Sequence, residues 1–153
     1  MTITGDPHHD RLEAVVDQYL AVWQTGDPER LGDLADLVTD DARFRDPFHD
    51  VRGRDQVIGV LQASYARITN VHIGVHARAR DDLVTLIQWT FRFRTKRRGQ
   101  PWLLEGMSEL HQHTESGLIE AHLDHWDPAG QIYETVPVLG PLIRLARRRV
   151  AGG

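Results

Sequence analysis

Leu12, Val15, Val16, Tyr19, Leu20 and Trp23 recur at the 3.6-residue period of a helix, so the chain opens with an amphipathic helix carrying Tyr19 on its apolar stripe. Asp6-Pro7 supplies its start and Gly26 its end. Asp27-Pro28 opens a second predicted helix with Leu31, Leu34, Leu37 and Val38 on its buried face. Ala42 to Asp46 alternates briefly and meets Pro47, which predicts a short strand closed by a turn at Asp46-Pro47-Phe48. Val57, Ile58, Leu61 and Tyr65 return to helical spacing and predict a third helix from about Arg54 to Arg67.

After Asn70 the period changes to two. Val71, Ile73, Val75, Ala77 and Ala79 alternate with His72, Gly74, His76, Arg78 and Arg80 as a half-buried strand ending at Asp81-Asp82. Leu83, Thr85, Ile87, Trp89, Phe91 and Phe93 share one face of the next strand. Trp102 to Thr114 and Leu118 to Trp126 supply two more, joined at Glu115-Ser116-Gly117. Three helices followed by a meander of long strands predict an α+β domain in which helices cover one face of a curved sheet. From Asp127 the chain reads as a tail. A short helix with Leu142, Ile143, Leu145 and Val150 opposite Arg144, Arg147, Arg148 and Arg149 is expected to turn its apolar side to the body and its arginines to water.

Length and charge narrow the field. The 153 residues suit one domain, and a net charge of −4 has the wrong sign for a nucleic-acid binder. Without cysteine there is no thiolate nucleophile, disulfide or zinc-thiolate centre. The polar first ten residues lack a secretory pattern and no apolar run is long enough for a membrane span, so a cytoplasmic protein is expected.

Tyr19, the Gly26-Asp27 break, the segment from Asp40 through Asp46-Pro47-Phe48 and the Gly53-Arg54 helix start together resemble the ketosteroid isomerase branch of the nuclear transport factor 2-like superfamily, to which SnoaL-like proteins also belong. The resemblance spans about residues 8–127. It implies a conical α+β barrel of the cystatin-like type, three N-terminal helices packed on a strongly curved antiparallel sheet around a pocket, and a homodimer formed through the outer sheet face. The domain is therefore drawn over residues 1–127, with 128–153 a C-terminal extension bearing the basic amphipathic helix. By the same resemblance Asp46 is the general base, Tyr19 an oxyanion donor, and no cofactor is needed. A second, carboxylic donor falls on Glu109 counting back from the turn at 114–117, or on Ser108 counting forward from Gly99-Gln100-Pro101. The chemistry favours Glu109.

The residues have a physical case of their own. A carboxylate at the mouth of an apolar pocket becomes a stronger base, whereas Asp before Pro is also a common turn former. Tyr19 on a buried stripe is either packing or donor. If the strand faces bearing Met107, Glu109, His111 and His113, and His122, Asp124 and Trp126, line the pocket, then His111, Asp124 and Trp126 meet the substrate along with Phe48 and Leu61. His111, His113 and His122 are the available metal ligands, but histidines at alternate strand positions are mostly a polar face, so no metal is expected. The favoured reading is a proton-transfer isomerase or lyase acting on a small apolar carbonyl compound. The alternatives are a non-catalytic binder of a hydrophobic molecule, or a dimeric interaction module whose arginine-rich tail meets a partner or a membrane surface.

Overall fold

The computed structural model describes residues 6–152. Helix α1 (Pro7–Gln24) starts where Asp6 accepts the His8 N–H, and Pro7 occupies a first-turn position that needs no donor. Its stripe of Leu12, Val16, Tyr19, Val22 and Trp23 is buried. Gly26 follows at a φ of +65°, and a Cβ there would come within 2.7 Å of Val71, so the residue answers both the backbone and the space.

The second predicted helix is a 3-10 helix, Arg30–Asp36, and Val38 belongs to the strand after it. Leu31, Leu34 and Leu37 stand three apart, a spacing that stacks on one side of a three-residue turn, and all three are buried. Strand β1 (Val38–Arg45) and the short β2 (Asp50–Arg52) form a hairpin around the Asp46 turn, and α2 (Arg54–Tyr65) buries Val57, Leu61 and Tyr65. Strands β3 (Ile68–Asp81), β4 (Val84–Thr95), β5 (Pro101–Gln112) and β6 (Ile119–His125) complete a six-stranded sheet in the order β2-β1-β6-β5-β4-β3. Its pairs are antiparallel except β1 with β6, which run parallel.

One irregularity reverses an expected face. The β3–β4 register shifts between Val75 and Ala77, so beyond it Arg78 and Arg80, not Ala77 and Ala79, point inward opposite Ile87 and Thr85. There they meet α1: Arg78 pairs with Glu13 and Asp17, and Arg80 with Glu13. Arg80 also donates to the Gln112 side chain at 2.7 Å, and Gln112 in turn donates to backbone carbonyls of Leu12 and Gly117. A polar knot thus ties helix and sheet at this end, while the aromatic core fills the other.

After β6, α3 (Pro128–Gln131) and a 3-10 turn lead to α4 (Leu139–Ala151). Its orientation departs in part from the expected one: Ile143 is half-buried and Arg148 and Arg149 face water, but the other apolar positions do not dock. Arg147 binds Asp127 and Glu134, Arg144 reaches the Glu134 carbonyl, and Leu139, Leu142, Leu145 and Val150 are exposed. Among the described residues no helix is long and apolar enough to cross a membrane.

Candidate functional site

Alternation on three neighbouring strands directs Ile87, Trp89 and Phe91 of β4, Leu104 and Ser108 of β5, and His122 and Asp124 of β6 to the concave side of the sheet. With Leu20 and Trp23 of α1 and Leu61 and Tyr65 of α2 above them, they enclose a cavity of about 140 Å³. Its wall is overwhelmingly carbon. Trp89 lies over Gly106, where a Cβ would approach the indole to 2.5 Å.

Five polar side chains join in a line through this wall. The Trp89 indole N–H donates to Ser108 Oγ at 2.7 Å, and the Ser108 hydroxyl donates to Asp124 Oδ1. Asp124 Oδ1 also faces His122 Nε2 at 2.8 Å, and His122 Nδ1 faces the Tyr19 hydroxyl at 2.9 Å. An ionised Asp124 only accepts, so it takes the Nε2 proton, leaving Nδ1 of the neutral ring to accept from Tyr19. Burial pushes the Tyr19 hydroxyl far above its usual range; the Trp23 indole pulls partly back, and the Asp124 charge adds to the rise. The phenol therefore stays a donor. Asp124 Oδ2 has no hydrogen-bond partner among the described residues, so the network holds one carboxylate oxygen and leaves the other available at the cavity wall.

A further group is unpartnered. Tyr65 lines the cavity, is 4% exposed, and its hydroxyl has no hydrogen-bond partner among the described residues. Burial raises its titration well above the ordinary phenol range, with the charges of Asp124 and Tyr19 adding to it. A buried O–H without an acceptor beside a carboxylate is the kind of group a ligand oxygen satisfies.

The residues expected from sequence divide. Asp124, Trp126 and Leu61 line the cavity, as does Asp46. Asp46, however, is occupied as a turn cap: its Oδ1 accepts from the backbone N–H of Phe48 at 2.7 Å and of His49 at 2.6 Å, and the His49 ring lies 3.0 Å away. Tyr19 stands behind His122 rather than at the surface of the cavity. Phe48 sits at the rim, exposed and edge-on to Trp126 with ring centroids 5.4 Å apart.

Glu109 and His111 are corrected outright. Both lie on the convex side of β5, where Glu109 bridges His111 and His125, each at 2.8 Å. The hydrogen bond from His111 is the main reason the Glu109 carboxyl sits below the ordinary glutamate range. Ser108 holds the inward position because Leu104, Ser108, Leu110 and Gln112, all buried, share one parity of the strand. His111 consequently points away from His122, and among the described residues no three His, Asp or Glu side chains gather as metal ligands. Tyr65 is the site residue that sequence reasoning missed; Ser108 was the alternative to Glu109, and His122 was placed on the same strand face as Asp124 and Trp126. The His122-Asp124 alternation was the available signal for His122.

Residues 16–122 match the family model of the SnoaL-like domain. Comparison of the sequence with the curated proteins finds no match. Among solved structures, a protein from Catenulispora acidiphila with a ketosteroid isomerase-like fold, in complex with trimethylamine, is 21% identical with a TM-score of 0.65, covering 77% of this chain and 88% of its own. An epoxide hydrolase from M. tuberculosis of the LEH-like type is 16% identical with a TM-score of 0.63 over 92% of this chain and 95% of that one. The epoxide hydrolase/cyclase-like enzyme SalBIII of pyran ring formation in the polyether salinomycin is 14% identical, TM-score 0.65, over 78% and 92%. At these identities the likeness is one of fold.

Proposed function

Because the chain belongs to the SnoaL-like domain family, we propose that its cavity carries out cofactor-free proton transfer on a small apolar carbonyl compound, with Asp124 as base and Tyr65 as oxyanion donor. The observation that carries this reading is the asymmetry of Asp124: Oδ1 is held by His122 and Ser108 while Oδ2 is left open. Oδ2 takes a proton from the carbon next to the carbonyl, the C–H electron pair moves into the enolate, and the developing oxyanion accepts the Tyr65 O–H. Where the substrate is a β,γ-unsaturated ketone the enolate is a dienolate, and returning the proton from Asp124 to its γ-carbon shifts the double bond into conjugation and completes an isomerisation. Tyr19 is a positioning residue, since it acts on Asp124 through His122 without lining the cavity, while His122 holds Asp124 from the cavity wall.

The proposed base is therefore Asp124 rather than Asp46, both of whose carboxylate oxygens already face partners: Oδ1 the Phe48 and His49 N–H groups, and Oδ2 the His49 ring at 3.2 Å. A non-catalytic binding pocket would need no acid–base groups in its wall, and this cavity carries both Asp124 and Tyr65. The cavity is about the size that admits a benzene ring and smaller than the ~300–1,000 Å³ of drug-sized sites, so one ring or chain end of the substrate enters and the rest lies at the mouth by Phe48 and Trp126.

Exchange of α-protons for deuterium, followed by NMR across a panel of monocyclic ketones and enones, tests the reading. Asp124→Asn is expected to abolish exchange while retaining ligand binding, and Tyr65→Phe to slow it about 100-fold. Exchange at the wild-type rate in Asp124→Asn overturns the assignment.

A further inference from the structure

Apart from the half-buried Ile143, helix α4 presents its apolar side to water. At helical spacing Leu139, Leu142, Leu145 and Val150 fall on one side, with Leu142 60% and Val150 90% exposed, and Val138 extends the patch at its start. Gly140 faces the opposite way, so close to the Glu134 carbonyl that a Cβ would meet it at 2.3 Å. Arg144 and Arg147 share that inner side and fasten the helix to the segment after β6 through Glu134 and Asp127. An amphipathic helix on a globular body ordinarily faces the other way, because exposing such a stripe forfeits the hydrophobic gain of folding. This orientation serves an apolar phase outside the molecule.

The charges say which phase. No acidic residue occurs between Leu139 and Ala151, and Arg148 and Arg149 form no ion pair among the described residues. Arg149 falls within the apolar side, between the directions of Leu142 and Leu145. Pressing two copies of this stripe together would trap that guanidinium among leucines with no carboxylate to meet it. At a bilayer surface the same side chain extends to headgroup phosphates while its neighbours enter the acyl boundary. We propose that α4 is an interfacial helix that docks the chain on an anionic lipid bilayer, through Leu142, Leu145 and Val150 in the acyl boundary and Arg148 and Arg149 at the phosphates.

Co-sedimentation of the full chain with vesicles of phosphatidylcholine alone, and of phosphatidylcholine and phosphatidylglycerol in equal parts, tests this. Wild type is expected to bind the mixed vesicles, to ignore the neutral ones, and to release in high salt. Leu142→Ser with Leu145→Ser, and separately Arg148→Gln with Arg149→Gln, should each weaken binding about tenfold or more without lowering the melting temperature, since all four side chains are exposed. Absence of wild-type binding, equal binding of either double variant, or equal binding to neutral vesicles overturns the proposal. Light scattering separates the competing occupant: a mass that falls in the double serine variant, with no lipid binding by wild type, assigns the stripe to a second copy instead.

Discussion

The Tyr19 hydroxyl donates to His122 Nδ1 across 2.9 Å, completing the arrangement in which Asp124 holds the His122 Nε2 proton. Tyr19→Phe leaves Nδ1 buried without a donor, so a loss of about 1–3 kcal/mol in unfolding free energy is expected from denaturant titration. Turnover should fall by a smaller factor than in Asp124→Asn, because the phenol acts through the imidazole. A rate loss equal to that of Asp124→Asn would place Tyr19 in contact with the substrate.

At Asp46, substitution separates cap from base. Asn retains an oxygen that accepts the Phe48 and His49 N–H groups, so Asp46→Asn should unfold and exchange protons nearly as wild type does. Asp46→Ala removes the cap and should cost about 1 kcal/mol in thermal or denaturant unfolding.

The knot between α1 and β3 depends on Glu13, which meets both Arg78 and Arg80. Glu13→Gln leaves Arg80, whose side chain is 8% exposed, without its carboxylate. A destabilisation of about 2 kcal/mol is expected, between the values for exposed and fully buried pairs, and chemical denaturation of the variant measures it.

Alkaline pH should loosen the fold in a defined direction. Tyr19 and Tyr65 titrate above the ordinary phenol value of 10.0 in the folded chain, so the unfolded chain releases protons first. Their contribution is complete below about pH 10 and declines as pH rises beyond it toward the folded-state values. Melting temperatures across that window should fall, and less steeply in Tyr19→Phe.

The convex sheet face exposes Leu86, Leu103 and Met107, and we expect a second copy to cover it. Light scattering should give twice the 17.4 kDa chain mass, and Met107→Glu should reduce it.

The period-2 and period-3.6 patterns carried the architecture, since Tyr19, Trp23, Leu61 and Trp89 all went to the interior their spacing predicts. Phase was harder. Leu103 and Leu104 are adjacent and both apolar, so the start of β5 offers either parity, and a one-residue slip exchanges Glu109 for Ser108. Leu104, Leu110 and the buried Gln112 settle it only once the strand is seen whole. The bulge that turns Arg78 and Arg80 inward has no local apolar signature, because its warrant is Glu13 and Asp17, more than 60 residues away. The Tyr19–His122 pair is similarly distant in sequence, at 103 residues. Leu31, Leu34, Leu37 and Val38 fit the buried face of an ordinary helix, and the three-residue spacing that marks the observed 3-10 turn went unread, so Val38 was placed in the helix rather than at the start of β1.

Gly106 couples two properties that might otherwise vary separately. Because the Trp89 ring rests on its bare backbone, any side chain there would lift the indole into the cavity and draw its N–H off Ser108. Room for the substrate would shrink in the same movement that loosened one of the two donors steadying Asp124. Cavity width and the anchoring of Asp124 therefore share a hinge point in this scaffold, and a narrower cavity that kept the carboxylate in place would have to be built from another wall, such as Leu61 or Phe91.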